Sequence, residues 1–250
     1  MQKKDTPESP LPKAPGGRFP HLYPAAFSTI GNVIFVIGPP GSGKGTLCSR
    51  ICAEYPRRFK HLSVGDYLRE LVGSNASGGA SSPPNIPALR PGALRPEEIA
   101  RYVRESKLLP PNTLIQLIKA KLLAEFTPSD TFWLIDGFPR DEKSAEEFEM
   151  HFGAPKGLIQ LTCDESIARQ RFLDRRRAPS DNEEAFERRL KQHYDSLDWI
   201  AIRYCLLEYR MRVNSGVVGW VSQALDAIRQ DCAEIVDKPD TAAAREENKL

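Results

Sequence analysis

Hydrophobic residues recur along this chain with two different periods. Near-continuous apolar runs rich in β-branched and aromatic residues occupy 32–37, 131–136 and 157–163, the pattern of strands buried on both faces. Residues 58–66 give a shorter strand ending in a turn, and 209–214 a last strand. Between these runs apolar side chains fall three and four apart, which predicts helices. They run from near Gly43 through Leu47, Ile51 and Ala53, then over 67–72, 96–107, 112–126, 141–152 and 164–175. A long helix ending near Arg203 and another over 217–236 follow. Pro96-Glu97-Glu98 suits a first helical turn. Strands alternating with helices predict an α/β fold built on a parallel sheet with helices on both faces.

Four stretches break the pattern. Residues 1–29 are rich in proline and poor in aliphatic side chains, too little to bury and order, so a disordered tail is expected. Residues 73–96 turn to Gly, Ser, Asn, Pro and Ala without apolar periodicity, which reads as a flexible insertion. A polar knot at 176–182 separates two helices, and 237–250 is a loose charged tail. The domain itself is expected to span 30–236, an ordinary size for one core.

Composition narrows the picture mainly by exclusion. Lys plus Arg number 35 against 33 Asp plus Glu, and a net charge of +2 gives no reason to expect nucleic acid as a partner. No apolar run approaches the length that spans a bilayer, and the first residues lack the apolar core of a secretory signal. A cytoplasmic location follows, with the nucleus as an alternative. Five cysteines, an odd number without metal-ligand spacing, read as buried free thiols of a reducing compartment.

The chemistry begins where the first strand ends. Gly38-Pro39-Pro40-Gly41-Ser42-Gly43-Lys44-Gly45-Thr46 joins a strand to a helix. Its glycines let backbone N–H groups approach an anion, the helix adds its positive end, and Lys44 adds a mobile cation. This is a phosphate-binding P-loop. The usual Ser or Thr after the lysine is replaced by Gly45, with Thr46 next. Asp136 closes another strand, where a carboxylate beside a P-loop can hold magnesium through its waters. Arg140 follows with a planar fork for phosphate, and Asp66 and Arg69, three apart after a second strand, can face the same crevice.

The chain resembles the nucleoside monophosphate kinases of the adenylate kinase and UMP–CMP kinase group. The likeness rests on the P-loop 38–46, on His61-Leu62-Ser63-Val64-Gly65-Asp66-Tyr67-Leu68-Arg69, on Asp136-Gly137-Phe138-Pro139-Arg140, and more weakly on 171–189. It covers about 30–236 apart from the insertion, and Gly45 before Thr46 is that group's own form of the loop. The resemblance implies a P-loop three-layer fold with a five-stranded parallel sheet, a monophosphate-binding segment and a short lid. It implies transfer of a phosphoryl group from ATP to a nucleoside monophosphate, with Mg2+, by a monomer. By position, Gly41, Ser42, Gly43, Lys44, Gly45 and Thr46 would hold the donor phosphates, with Arg171 near the donor base. Asp136 would orient the hydrated metal, Arg69 and Arg140 would grip the acceptor phosphate beside Asp66, and Arg175 and Arg189 would close over the transferring group.

Several positions depart from the family. A base-reading glutamine four residues beyond Arg140 is replaced by Ser144, whose hydroxyl reaches less far. Ser106 stands where glycine is expected, the lid lacks one arginine in register, and no four-cysteine zinc lid is present. Two alternatives stay open on this reading: a nucleotide-binding relative with little transferase activity, and a small-molecule kinase with a remodelled acceptor site.

Overall fold

The computed structural model describes residues 32–73, 86–125, 130–175, 181–207 and 209–231. In these residues the five expected strands form one sheet in the order β2-β3-β1-β4-β5, all parallel. The strands are β1 (Asn32–Ile37), β2 (Phe59–Ser63), β3 (Phe132–Asp136), β4 (Gly157–Thr162) and β5 (Tyr209–Asn214). Successive side chains of a strand point to opposite faces, and β1 divides its run that way. Val33, Phe35 and Ile37 join one core with Trp133, Ile135 and Phe148. Ile34 and Val36 join the other with Leu47, Ile51 and Leu134. Both faces are buried, as the unbroken hydrophobic run requires.

The helices are α1 (Lys44–Glu54), α2 (Val64–Leu71), α3 (Pro96–Arg104), α4 (Pro111–Ala124), α5 (Glu142–Phe152), α6 (Glu165–Asp174), α7 (Glu183–Arg203) and α8 (Trp220–Asp231). On one face of the sheet α4, α5 and α7 enclose Phe35, which meets Phe138, Phe148 and Tyr204 edge-on at centroid distances of 5.2, 5.1 and 5.8 Å. On the other, α1 and α8 pack through Leu47, Ile51, Ala224 and Ile228.

Two boundaries differ from expectation for local reasons. Helix α2 begins at Val64, not Tyr67, because Ser63 caps it: the Ser63 hydroxyl accepts the Asp66 N–H and donates to the Asp66 carboxylate at 2.7 Å. Asp66 therefore sits in a first helical turn rather than at a strand end. Helix α8 begins at Trp220, after Gly219 at φ 76°, leaving Val217 and Val218 in an exposed turn.

The insertion reading of 73–96 needs correction over its described part. Ile86, Leu89 and Leu94 pack against the small core of Leu71, Ile99, Leu109 and Leu117. The Arg90 N–H donates to Gln116 Oε1 at 2.6 Å and the Leu94 N–H to Thr113 Oγ1 at 3.0 Å. The three apolar residues follow neither a helical nor a strand period, so periodicity could not reveal them. Residues 74–85, the tails at 1–29 and 237–250, and 176–180 of the expected lid lie outside the described residues. Among the described cysteines, Cys48 is buried but Cys205 is exposed, so burial does not hold for every thiol.

Candidate active site

Because β1 and β3 are parallel neighbours with Val36 opposite Asp136, the P-loop and the strand-end carboxylate emerge side by side. Beyond Ile37 the loop folds against its surroundings so closely that Gly38, Gly41 and Gly43 have no room for a side chain. A Cβ on Gly41 would lie 1.9 Å from the Ala168 carbonyl oxygen, and one on Gly43 would lie 2.8 Å from the Trp220 ring. Both residues have positive φ, 80° and 86°, which glycine alone adopts without strain. Gly43 caps α1 without a side-chain hydrogen bond, so its N-terminal amides remain for an anion. The Lys44 ammonium folds back over the loop and donates to the Gly38 and Pro39 carbonyls, both at 2.9 Å. Ser42 is fully buried, and its hydroxyl has no hydrogen-bond partner among the described residues. Gly45 and Thr46 continue α1, with Thr46 exposed.

Asp136 is 6% exposed, with His61 Nε2 3.7 Å from its Oδ2. Arg69 pairs with the Asp66 carboxylate, which thereby orients the guanidinium and is not itself free to take a ligand cation. Arg140 donates from Nε to the Gly137 carbonyl at 2.9 Å. The two guanidinia converge: a Cβ on Gly65 would lie 3.5 Å from Arg69 and 3.6 Å from Arg140 Nη2.

On the lid side, Asp181 is the organising group. Its side chain is 2% exposed and lies 3.0 Å from Arg189 Nη1 and 3.7 Å from Arg175 Nε. Both guanidinia also lie over the Phe172 ring, at 4.4 Å for Arg175 and 5.3 Å for Arg189, a favourable arrangement for a planar cation. Arg189 Nη2 reaches Ser106 Oγ at 3.4 Å, across from the α3–α4 turn where Ser106 adopts φ 52°. Arg171 lies apart from this group, donating to the Ser215 carbonyl at 2.9 Å at the end of β5.

The charges act on one another. Burial lowers the Lys44 pKa to about 8, with Asp136 pulling it up and Arg140 and Arg175 pushing it down. Arg140 is held below its usual value by crowding within the protein and by Arg189, against the pull of Asp136. It remains reached by solvent and stays a cation. Arg189 is likewise lowered by burial, opposed by Asp181 and assisted by Arg69. Lys44, Arg69, Arg140, Arg175, Arg189 and Asp136 thus form one linked set of charges. Such a set can hold and neutralise polyphosphate.

Comparison with known proteins agrees with this arrangement. A family description for an AAA domain matches residues 37–187. The chain is 31% identical to human adenylate kinase isoenzyme 1 over 205 residues, which is 79% of this chain and 95% of that protein. It is 33% identical to rat adenylate kinase isoenzyme 1 over 169 residues, 66% and 77% of the two chains. It is also 32% identical over 201 residues to the UMP-CMP kinase of Prunus armeniaca, 79% and 76% of the two. The chain belongs to the nucleoside monophosphate kinase family. It is an ATP-dependent phosphotransferase.

In this kinase the residue at the base-reading position of the family is engaged within the protein. Ser144 is fully buried, its N–H and hydroxyl bonded to the Asp141 carboxylate at 2.9 and 2.7 Å. Asp141 is the N-cap of α5, and Ser144, inside the first turn, spends its hydroxyl on that cap. Sequence reasoning also passed over four residues of the kinase. Asp181 lay within a quoted motif, but its double pairing depends on a fold-back between α6 and α7. His61 lay within another, beside Asp136. His193 stands one helical turn beyond Arg189 on α7; burial, then the Lys44 charge, lowers its pKa to about 4, leaving the ring neutral. Trp220 carried no motif at all. Among the described residues no helix of the kinase is long and apolar enough to cross a membrane.

Proposed function

We propose that the protein catalyses reversible transfer of the γ-phosphoryl group of ATP to a nucleoside monophosphate, AMP or UMP/CMP, giving ADP and the nucleoside diphosphate. The observation that carries this reading is the linkage of Lys44, Arg69, Arg140, Arg175 and Arg189 into one group of cations, with Asp136 beside Lys44 and Arg140. One cation group lies on the P-loop, one on the α2 side and one on α6 and α7, enough to grip two phosphate chains and the group passing between them.

An acceptor phosphate oxygen attacks the γ-phosphorus in line, the bond to the β–γ bridging oxygen breaks, and ADP takes that electron pair. No covalent intermediate on the protein is needed, and positioning with charge neutralisation supplies the catalysis. Gly41, Ser42, Gly43, Gly45 and Thr46 hold the donor phosphates by amides and hydroxyls, and Lys44 exchanges its two loop carbonyls for phosphate oxygens. The unsatisfied Ser42 hydroxyl fits such a phosphate. Arg69, oriented by Asp66, and Arg140 grip the acceptor phosphate. Arg175 and Arg189 stabilise charge on the transferring group, and Arg171 borders the donor base.

A buried carboxylate at a strand end fits a hydrated Mg2+, and no cluster of three or more metal-ligating side chains occurs among the described residues. Asp136 would hold the metal through water, with the phosphates completing its shell, and when bound the ion would neutralise their charge. The working unit proposed is a monomer.

A coupled assay of ADP formation with AMP, UMP, CMP and dCMP tests the reading. At least one acceptor is expected to raise turnover far above basal ATP hydrolysis. If none does while ATP still binds, the reading fails in favour of a nucleotide-binding protein without transferase function. Ser144, buried and bonded to Asp141, does not read the base, so any preference among these acceptors comes from other residues.

A further inference from the structure

Three neighbours fix the shape of the P-loop from outside, and they differ in kind. Gly38 is crowded by the backbone of β4, with the Leu161 carbonyl oxygen 2.9 Å from a Cβ position. Gly41 is crowded by the backbone of α6 through the Ala168 carbonyl. Gly43 is crowded by a side chain, Trp220, whose Cζ2 and Cη2 lie 2.8 and 3.0 Å from a Cβ position. Backbone contacts persist whatever the residue, whereas the third depends on an indole.

Gly43 is also the point of greatest need. It holds a left-handed conformation at the N-cap of α1 with no side-chain hydrogen bond to fix it. Its carbonyl accepts the Leu47 N–H at 3.0 Å, so its orientation sets the first turn and the direction of the amides there. Parallel N–H dipoles repel one another when no anion is bound, and the loop must be held against that repulsion from outside.

Trp220 is placed for this by distant parts of the chain. It opens α8 and packs against the core containing Leu47, Ile51 and Ile228. The turn before it is tied down: the Ser215 N–H and hydroxyl donate to the Thr162 carbonyl at 2.8 and 3.0 Å, and Arg171 holds the Ser215 carbonyl. The ring is thus fixed to the sheet and presses on a mobile residue type.

We propose that Trp220 is a positioning residue of the donor site, its indole bracing Gly43 so that the amides of the P-loop and α1 stay aimed at the donor phosphates. This rests on reading the P-loop as the ATP site. The indole touches no reacting atom and acts through Gly43.

The test compares Trp220→Ala, Trp220→Leu and Trp220→Phe in the full chain, with ATP affinity measured by calorimetry and steady-state constants for ATP and the best acceptor. Trp220→Ala and Trp220→Leu are expected to weaken ATP binding roughly tenfold while the acceptor KM stays within about twofold, since a small misplacement of a binding element is costly. Trp220→Phe restores a flat ring against Gly43 and brings ATP affinity back to within about twofold of wild type. Unchanged ATP affinity in Trp220→Leu, equal weakening of donor and acceptor, or failure of phenylalanine to rescue overturns the proposal. Should Trp220→Ala fail to fold, the leucine and phenylalanine variants decide it. Should no monophosphate act as acceptor, the kinase reading fails, while calorimetry with ATP still decides the role of Trp220.

Discussion

Lys44 holds two loop carbonyls with one ammonium in a partly buried setting that lowers its pKa to about 8. Donor phosphates bring negative charge to it and raise that value. Binding ATP at about pH 8.5 should therefore take up a fraction of a proton, and at about pH 7, where the amine is already charged, almost none. Calorimetry in buffers of different ionisation enthalpy measures this directly. As pH rises through 8 the free protein loses the cation, so ATP affinity should decline. Lys44→Ala should remove the proton uptake and lower turnover by about a hundredfold or more, because the developing charge loses its nearest mobile cation. Asp181 acts on the other side of the cleft. Asp181→Asn leaves its shape but weakens its hold on Arg175 and Arg189, and kcat should fall roughly tenfold with the ATP KM little changed.

Between elements, the join of α5 to α7 is made by buried charge. Glu149, with a side chain 2% exposed, accepts from Arg203 Nε and Nη2, both at 2.9 Å, and from the Tyr204 hydroxyl at 2.8 Å. Removing one partner of a buried pair strands the other, so Glu149→Ala should cost about 3 kcal/mol of unfolding free energy. Chemical denaturation measures it, and a change below about 1 kcal/mol would show that the network relaxes without loss. Glu149 lies at the far end of α5 from Arg140, so the active site of the folded variant should turn over as wild type. The Ser63 cap makes a smaller prediction: Ser63→Ala should cost about 1 kcal/mol and also loosen Asp66, and with it Arg69. A rise in acceptor KM without a matching rise for ATP would report that second effect.

At the scale of the whole molecule, ligand binding and folding are linked. ATP at about a hundred times its dissociation constant should stabilise the fold by about 2.7 kcal/mol, visible as a rise in Tm that Lys44→Ala abolishes. The architecture that makes this coupling was largely written in the chain. Each buried run of 32–37, 131–136 and 157–163 became a strand because a parallel sheet covered on both faces favours near-continuous apolar stretches, with polar residues such as Asp136 at their ends. The P-loop, Asp136 and Arg140 were legible because their spacing is local. Strand order was not, since nothing in β1 itself says that β3 and β4 flank it. The same holds for the anchoring of Ile86, Leu89 and Leu94, the contact of Trp220 with Gly43, and the double hold of Asp181. Each depends on residues far apart in sequence meeting after the fold forms. The engagement of Ser144 was not legible either, because its position after Arg140 does not say that its hydroxyl bonds to Asp141.

Asp181 also bears on release as well as on binding. Its single negative charge offsets part of the field of two guanidinia. An arriving phosphate must compete with a resident counter-ion, so its net gain is the difference between two attractions and not the whole of one. When the products depart, the guanidinia fall back onto a carboxylate that has been waiting 3.0 Å from one and 3.7 Å from the other. Such an arrangement exchanges some affinity at each encounter for a shorter stay, which suits the reversible transfer proposed above.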